Sequence, residues 1–148
     1  MKTFAFLISF VAFAAAPAAS AAGGPPQYAL QGGTGVSTLD GTMHFVAVPA
    51  GDSTLIESIA SDGSVWNFPR FKGSWGIPMI TYRDPAGLSR DGHTLVVQTL
   101  TSGSPTSFLV LNTRTMRLRS RFTLKGNYSF DALSPDASRA TARTQLVS

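Results

Sequence analysis

Three aspartates hold the same place in a recurring phrase, and a repeated carboxylate is the arrangement in this chain best placed to do chemistry. Thr38-Leu39-Asp40-Gly41-Thr42-Met43-His44-Phe45-Val46 returns as Ser89-Arg90-Asp91-Gly92-His93-Thr94-Leu95-Val96-Val97 and begins again as Leu133-Ser134-Pro135-Asp136-Ala137-Ser138. One carboxylate from each repeat would make a ring of metal ligands. A turn makes a different use of the same residues: Asp accepts hydrogen bonds from nearby backbone N–H groups, and Gly supplies positive φ. The turn accounts for both the residue types and their recurrence, so Asp40, Gly41, Asp91, Gly92 and Asp136 are assigned to structure. The alternating Asp or Asn with a closing Glu that marks a calcium loop is absent, and neither a metal nor a cofactor is expected.

The other reactive side chains do not assemble into a site. His44 lies four residues after its aspartate and His93 two after, so the two do not share a ligand position. Gly-x-Ser-x-Gly does not occur, which excludes a nucleophile elbow. Gly32-Gly33-Thr34-Gly35 lacks the Lys-Ser/Thr and the helix of a phosphate loop. Glu57 is the lone glutamate, and no acid/base pair is evident, so no catalytic residue is assigned. Arg117, Arg119 and Arg121 alternate with Met116, Leu118, Ser120 and Phe122, and on a strand they would share one face. Such a row could hold an acidic glycan, a teichoic-type polymer or phospholipid headgroups. The preferred reading is a solvated outer strand whose charges block edge pairing. Trp66, Phe68, Phe71, Trp75 and Tyr82 cluster in the first repeat, as a ligand-stacking surface or, the preferred reading, as packing between sheets. Asn127-Tyr128-Ser129 fits a glycosylation acceptor, relevant to a eukaryotic secretory route.

Short strands must position these residues. Residues 43–48, 54–59 and 65–68 are rich in β-formers and are separated by the turns Pro49-Ala50-Gly51-Asp52 and Ser61-Asp62-Gly63-Ser64. Residues 94–100, 107–111 and 116–124 repeat that order, and Lys72-Gly73 and Lys125-Gly126 close the two copies. A fourth strand in each, 78–82 and 128–132, leads into the next phrase. The steps from Asp40 to Asp91 and from Asp91 to Asp136 are 51 and 45 residues, a period that points to propeller blades or a similar repeat array. The expected fold is all-β, with blades of four antiparallel strands forming a partial or truncated propeller.

At 148 residues the chain holds one domain at most. Met1-Lys2, the apolar stretch 4–16, Pro17 and Ala19-Ser20-Ala21 have the layout of a secretory signal peptide over residues 1–21. The apolar stretch is shorter than the roughly 20 residues that span a bilayer. Residues 22–35 read as a flexible lead-in and 36–136 as the repeats, about 36–87 and 88–132 with a third from 133; 137–148 read as an irregular tail. The product is expected to be secreted or periplasmic, with no stable membrane insertion once the leader is cut. There is no cysteine, so packing alone stabilises it in a compartment that would permit disulfides. The net charge of +4 is a mild bias that does not make a nucleic-acid binder.

Gly87-Leu88-Ser89-Arg90-Asp91-Gly92 and Ala132-Leu133-Ser134-Pro135-Asp136 resemble the Ser-Pro-Asp-Gly turn of YVTN/WD40-like β-propellers. Phe108-Leu109-Val110-Leu111-Asn112-Thr113-Arg114-Thr115 resembles the strand and turn that follow it, and the resemblance covers about residues 36–136. It implies a fold more than an activity, because such propellers include lactone hydrolases, dehydrogenase-like proteins, surface-layer proteins and binding modules. It also implies that the segment ahead of each phrase lines a central channel. That makes Asp84 and Asp131 candidate ligand-binding carboxylates beside Arg117, Arg119 and Arg121. The leading expectation is an extracytoplasmic module that binds a ligand or protein. The alternatives are the N-terminal part of a propeller lactonase or hydrolase, and an inactive truncated product. No aliphatic strand of the family type follows Asp136, and propellers carry four to eight blades. Ser148 is therefore expected not to close a complete domain, and short copies would self-associate through their edge strands.

Overall fold

The computed structural model describes residues 31–81, 84–100, 105–134 and 139–144. The segment read as a leader, 1–21, most of the expected lead-in, Tyr82, Asp136 and the last four residues lie outside the described residues; the rest of the lead-in, 31–35, is regular strand and not a flexible segment. Every regular element among those described is a strand, so the chain is all-β. In order these are β1 (Gln31–Ser37), β2 (Met43–Ala50), β3 (Ser53–Ala60), β4 (Val65–Asn67), β5 (Arg70–Lys72), β6 (Trp75–Gly76), β7 (Met79–Thr81), β8 (Asp84–Pro85), β9 (Thr94–Thr99), β10 (Thr106–Asn112), β11 (Leu118–Leu124), β12 (Tyr128–Leu133) and β13 (Ala140–Thr144). The first sheet runs β1-β2-β3-β4 with β5 also on β3, the second runs β11-β10-β9-β6, and β7-β8 and β12-β13 are two-stranded. The pairings are antiparallel.

The repeated phrase sits inside a sheet rather than between sheets. β1 pairs with β2 across the first phrase, and β12 pairs with β13 across the third. The strand ahead of a phrase is thus the first strand of the sheet that follows it. The tail expected to be irregular contributes β13, whose Ala142 and Ala140 sit opposite Phe130 and Leu133. Small side chains pair there with large ones, so the segment carries little hydrophobic signal of its own. The strand expected over 78–82 is present as β7, Met79–Thr81, but it pairs with β8 and not with the β9 sheet. Pro78 and Pro85 have no N–H to give a ladder, and the segment folds into the β7–β8 hairpin while β6 takes the place beside β9. The chain then returns through Gly87, at φ 88, whose carbonyl accepts the Val96 N–H at 2.7 Å.

The second sheet is covered on both faces. Leu95, Val97, Leu109 and Leu111 pack against Phe45, Ala47 and Ile56 of the first sheet, with Trp75 and Met116. Val96 and Phe108 pack on the other side against Phe130, Leu133 and Ala142 of β12 and β13. This is why β9 reads as the unbroken run Leu95-Val96-Val97 instead of alternating. Each of those side chains is fully buried, and burial of that kind contributes about 1.5–3 kcal/mol per residue.

A hydroxyl clasp ties the strands of each repeat. Thr54 Oγ1 donates to the Gly73 carbonyl at 2.8 Å and accepts the Trp75 N–H at 3.0 Å. Thr106 Oγ1 does the same to Gly126 at 3.0 Å and Tyr128 at 2.9 Å. The matching partners equate β6 with the start of β12. No buried side-chain polar atom among the described residues lacks a partner.

Candidate functional site

The three phrases close in the same way. Thr38 N–H donates to the Met43 carbonyl at 2.9 Å and Thr38 Oγ1 accepts the Met43 N–H at 3.1 Å. Ser89 N–H donates to the Thr94 carbonyl at 2.8 Å and Ser89 Oγ accepts the Thr94 N–H at 2.9 Å. Ser134 and Arg139 form the third pair at 2.8 and 2.9 Å. Inside each of the first two loops the aspartate turns inward. Asp40 Oδ1 accepts the Thr42 N–H at 3.1 Å and its hydroxyl at 2.9 Å. Asp91 Oδ1 accepts the Ser89 hydroxyl at 2.6 Å and the His93 N–H at 2.9 Å. These bonds favour the ionised form. The Thr38 and Thr42 hydroxyls and the Thr42 N–H hold Asp40 below the ordinary carboxylate range. The Ser89 hydroxyl, then the His93 N–H and ring, do so for Asp91. Gly41 and Gly92 sit at φ 68 and 71.

The first two turns lie side by side. A Cβ on Gly92 would stand 3.1 Å from Thr38 Cγ2, and between the turns opens a cleft of about 480 Å³. Its volume lies within the roughly 300–1,000 Å³ range of ligand pockets. The Asp40 turn and the Asp91 turn form its two banks, Arg90 and His93 included. Phe45, Met43 and Ser58 line it from the first sheet. Trp66 and Asn67 come from β4, and Arg114 from the β10–β11 turn. Antiparallel connectivity brings these groups to one end. Turns that join the first to the second strand and the third to the fourth emerge on the same side of a meander.

Local bonds fix the second bank. Thr113 Oγ1 donates to the Gly92 carbonyl at 2.6 Å and Thr113 N–H to the His93 carbonyl at 3.2 Å. Asn112 closes the next turn, its N–H on Arg117 O at 2.9 Å and its Oδ1 accepting the Thr115 N–H at 3.0 Å. Met116 takes φ 53, a left-handed conformation that costs about 1–2 kcal/mol, and its side chain reaches the core.

The aromatic cluster read from the sequence divides. Trp75 is 3 % exposed, with its indole N–H on the Lys72 carbonyl at 2.8 Å, and Phe71 packs against the same core. Trp66 is 72 % exposed, and Phe68 is exposed beside it. The structure puts Trp66 at the cleft because β4 is a short edge strand that ends before Pro69.

The arginine row also divides, which corrects the expectation of a shared face. β11 is bulged: Leu109 faces Arg121 and Val110 faces Ser120, but Leu111 faces Leu118, leaving Arg119 as the extra residue. A bulge of this kind breaks the two-residue alternation. Arg121 therefore lies over the Trp75 ring at 5.2 Å, on the first-sheet side. Arg119 donates to Thr94 Oγ1 at 3.1 Å on the opposite face. Arg117 precedes the strand, in the turn. Phe122 stacks on Phe108 with ring centroids 5.0 Å apart.

A second cavity, about 640 Å³, lies where the segments ahead of the three phrases converge. Val36, Ile80, Leu88, Phe130 and Leu133 line it, with the serine residues Ser37, Ser89 and Ser134. Asp131 is not among its lining residues; its carboxylate pairs with Arg143 at 3.0 Å. Asp84 opens β8 opposite Thr81. No group of three or more metal-capable side chains occurs among the described residues. Arg90, Arg114 and Asn67 were not singled out in the sequence. Counting which turns share an end of the meander would have found Arg90 and Arg114; Asn67, at the end of β4, carries no such signal.

No protein-family model, no curated protein and no solved structure matches this chain.

Proposed function

We propose that this chain is an extracytoplasmic, non-catalytic binding module built of propeller-type β-repeats, which engages its ligand or partner at the turn-lined end of the first two sheets. The observation that carries the proposal is the cleft between the Asp40 and Asp91 turns, with an exposed indole on its rim. Its two carboxylates are held by their own turns, so little ordering of those acceptors is lost on binding. The blade-like reading draws support from the repeated clasp and from the stacking of successive sheets face on face. The leader supports export.

Two measurements test this. Mass spectrometry of the secreted product should give a chain that starts near Ala22; a product retained in the cytoplasm with its leader intact refutes export. Amide 1H–15N spectra titrated with a fragment library should shift at residues 38–42, 66–67, 90–93 and 113–114. Shifts confined to other surfaces, or none at all, refute the site.

A further inference from the structure

We infer that the cleft between the two Asp-Gly turns takes a neutral carbohydrate. This rests on the binding-module reading and names the ligand class of that same site. Four features point to it together.

The first is the exposed Trp66, at 72 %, on the rim of a concave site. An indole left in water at such a place presents a flat apolar plate with nothing of this chain's described core upon it. The C–H face of a sugar ring matches such a plate, and aromatic side chains carry large contact area at low entropic cost.

The second is the polar array beside it. Arg90, Arg114 and Asn67 donate, while Asp40, Asp91 and the Asn67 amide oxygen accept. A sugar hydroxyl both donates and accepts, so a dense mixture of the two suits a polyol better than a ligand of one polarity.

The third is the charge balance. Two guanidinium groups and two carboxylates line the cleft. The carboxylates stay ionised because their turns hold them so, and the pairs leave no net positive field to collect a phosphate or a polyanion. The row at Arg117, Arg119 and Arg121, which would have favoured a polyanion, is split by the β11 bulge.

The fourth is preorganisation. Each aspartate has one carboxylate oxygen engaged by its own loop. The second bank is pinned by Thr113 to Gly92. Acceptors held in place this way need not be ordered by the ligand. A volume of about 480 Å³ admits a short saccharide segment rather than a lone ion.

The test is titration of the purified chain with cellotriose, maltotriose, chitotriose and galactotriose, with trigalacturonate as the acidic arm. Tryptophan emission reports Trp66, because Trp75, the other of the two tryptophans, is buried. Amide spectra locate the site. At least one neutral sugar should shift the cleft amides and the Trp66 signal below about 10 mM. Trp66→Ala should weaken that binding tenfold or more, Trp66→Phe should restore part of it, and circular dichroism should show both variants folded. Arg114→Gln should weaken it less, with little dependence on salt. Three results overturn the proposal. Equal affinity in Trp66→Ala would show that the indole plate is not the contact. Preference for trigalacturonate, lost steeply with salt, would make the site one for anions. Silence of every sugar, while the fragment library still shifts the cleft, would remove the carbohydrate and leave the binding module; silence of both would remove both.

Discussion

Replacing Thr54 with valine isolates the hydroxyl clasp, because valine keeps the volume and removes the oxygen. Thr54 is fully buried. Its hydroxyl donates to the Gly73 carbonyl at 2.8 Å and accepts the Trp75 N–H at 3.0 Å. The two partners respond differently to its loss. Gly73 is exposed, so water can take its carbonyl, and that half costs little. Trp75 is buried, so its N–H is left without a partner, at about 1–3 kcal/mol. The expected total is about 2 kcal/mol, or roughly 5–10 °C in melting temperature for a domain of this size. Thr54→Ser is the counterpart, since it keeps the hydroxyl and deletes a buried methyl, at about 1 kcal/mol. Urea unfolding followed by circular dichroism measures both from midpoints at constant slope. The order valine worse than serine is the expected result. If serine is worse, or valine lies within about 0.5 kcal/mol of the parent, the clasp is incidental and packing volume is what the site requires. Thr106→Val should show the same sign with a smaller size, because Tyr128 is only half-buried.

Gly87→Ala should destabilise strongly, because its Cβ would fall 2.4 Å from the Val96 carbonyl at a φ of +88. Gly63→Ala, also at positive φ but with open space around it, should cost only the conformational term of about 1–2 kcal/mol; equal losses at the two sites would refute the contact. Acid should weaken the fold. Turn hydrogen bonds, led by the hydroxyls of Thr38, Ser64 and Ser89, hold Asp40, Asp62 and Asp91 below their ordinary values. With folded values below unfolded ones, the unfolded chain binds more protons as pH falls. The stabilisation is complete at neutral pH and is lost from about pH 4 downward. Urea midpoints between about pH 7 and 2.5 should decline, and the triple variant Asp40→Asn, Asp62→Asn, Asp91→Asn should flatten that decline. A parent midpoint that holds or rises refutes the sign. Arg143→Ala removes the ion pair to Asp131, yet Arg143 is 78 % exposed. It should change stability by less than about 1 kcal/mol, and less still in high salt.

The local chemistry of this fold was legible because it is local. Asp40 and Asp91 are followed by glycine and preceded at two residues by Thr38 and Ser89, and the hydroxyl, carboxylate and positive φ all act within one loop. β2, β3, β4, β9, β10 and β11 were legible for the same reason, as β-forming runs between turn residues. β1 was not, because residues 31–35, read as part of a flexible lead-in, carry three glycines and form a strand only against β2, and β5 and β6 are too short to signal themselves. Three further features were missed. β13 was missed because Ala140 and Ala142 form a strand only against Phe130 and Leu133. The β7–β8 hairpin was missed because β8 is only two residues long and contains Pro85, so it carries no strand signal of its own. The division of the arginines was missed because a bulge at Val110/Leu111 depends on two strands together.

The cleft belongs to a further class, since no single repeat contains it. Asp40 and Trp66 come from one sheet, and Arg90, Asp91 and Arg114 from the next. Within each repeat these residues look like turn furniture: a carboxylate beside a glycine, a cation at a loop tip, an aromatic on an edge strand. They acquire a common surface when the apolar faces of the two sheets meet, at Phe45 and Ile56 on one side and Leu95 and Leu109 on the other. Stacking brings two copies of the same turn within contact, and the places where the copies differ become the two walls of one site. Leu39 stands where the second repeat has Arg90, and Thr42 where it has His93. Two copies of the first repeat would set carboxylate beside carboxylate with leucine in place of Arg90. Arg90 and Arg114, both from the second repeat, balance the two carboxylates of the cleft; Arg90→Leu, which installs the first repeat's residue, should leave stability within about 0.5 kcal/mol of the parent, as for other exposed substitutions. The same change should lower affinity for any ligand that accepts from that guanidinium. Unchanged affinity in Arg90→Leu, measured by the titrations that test Trp66, would mean that the difference between repeats is drift and not recognition.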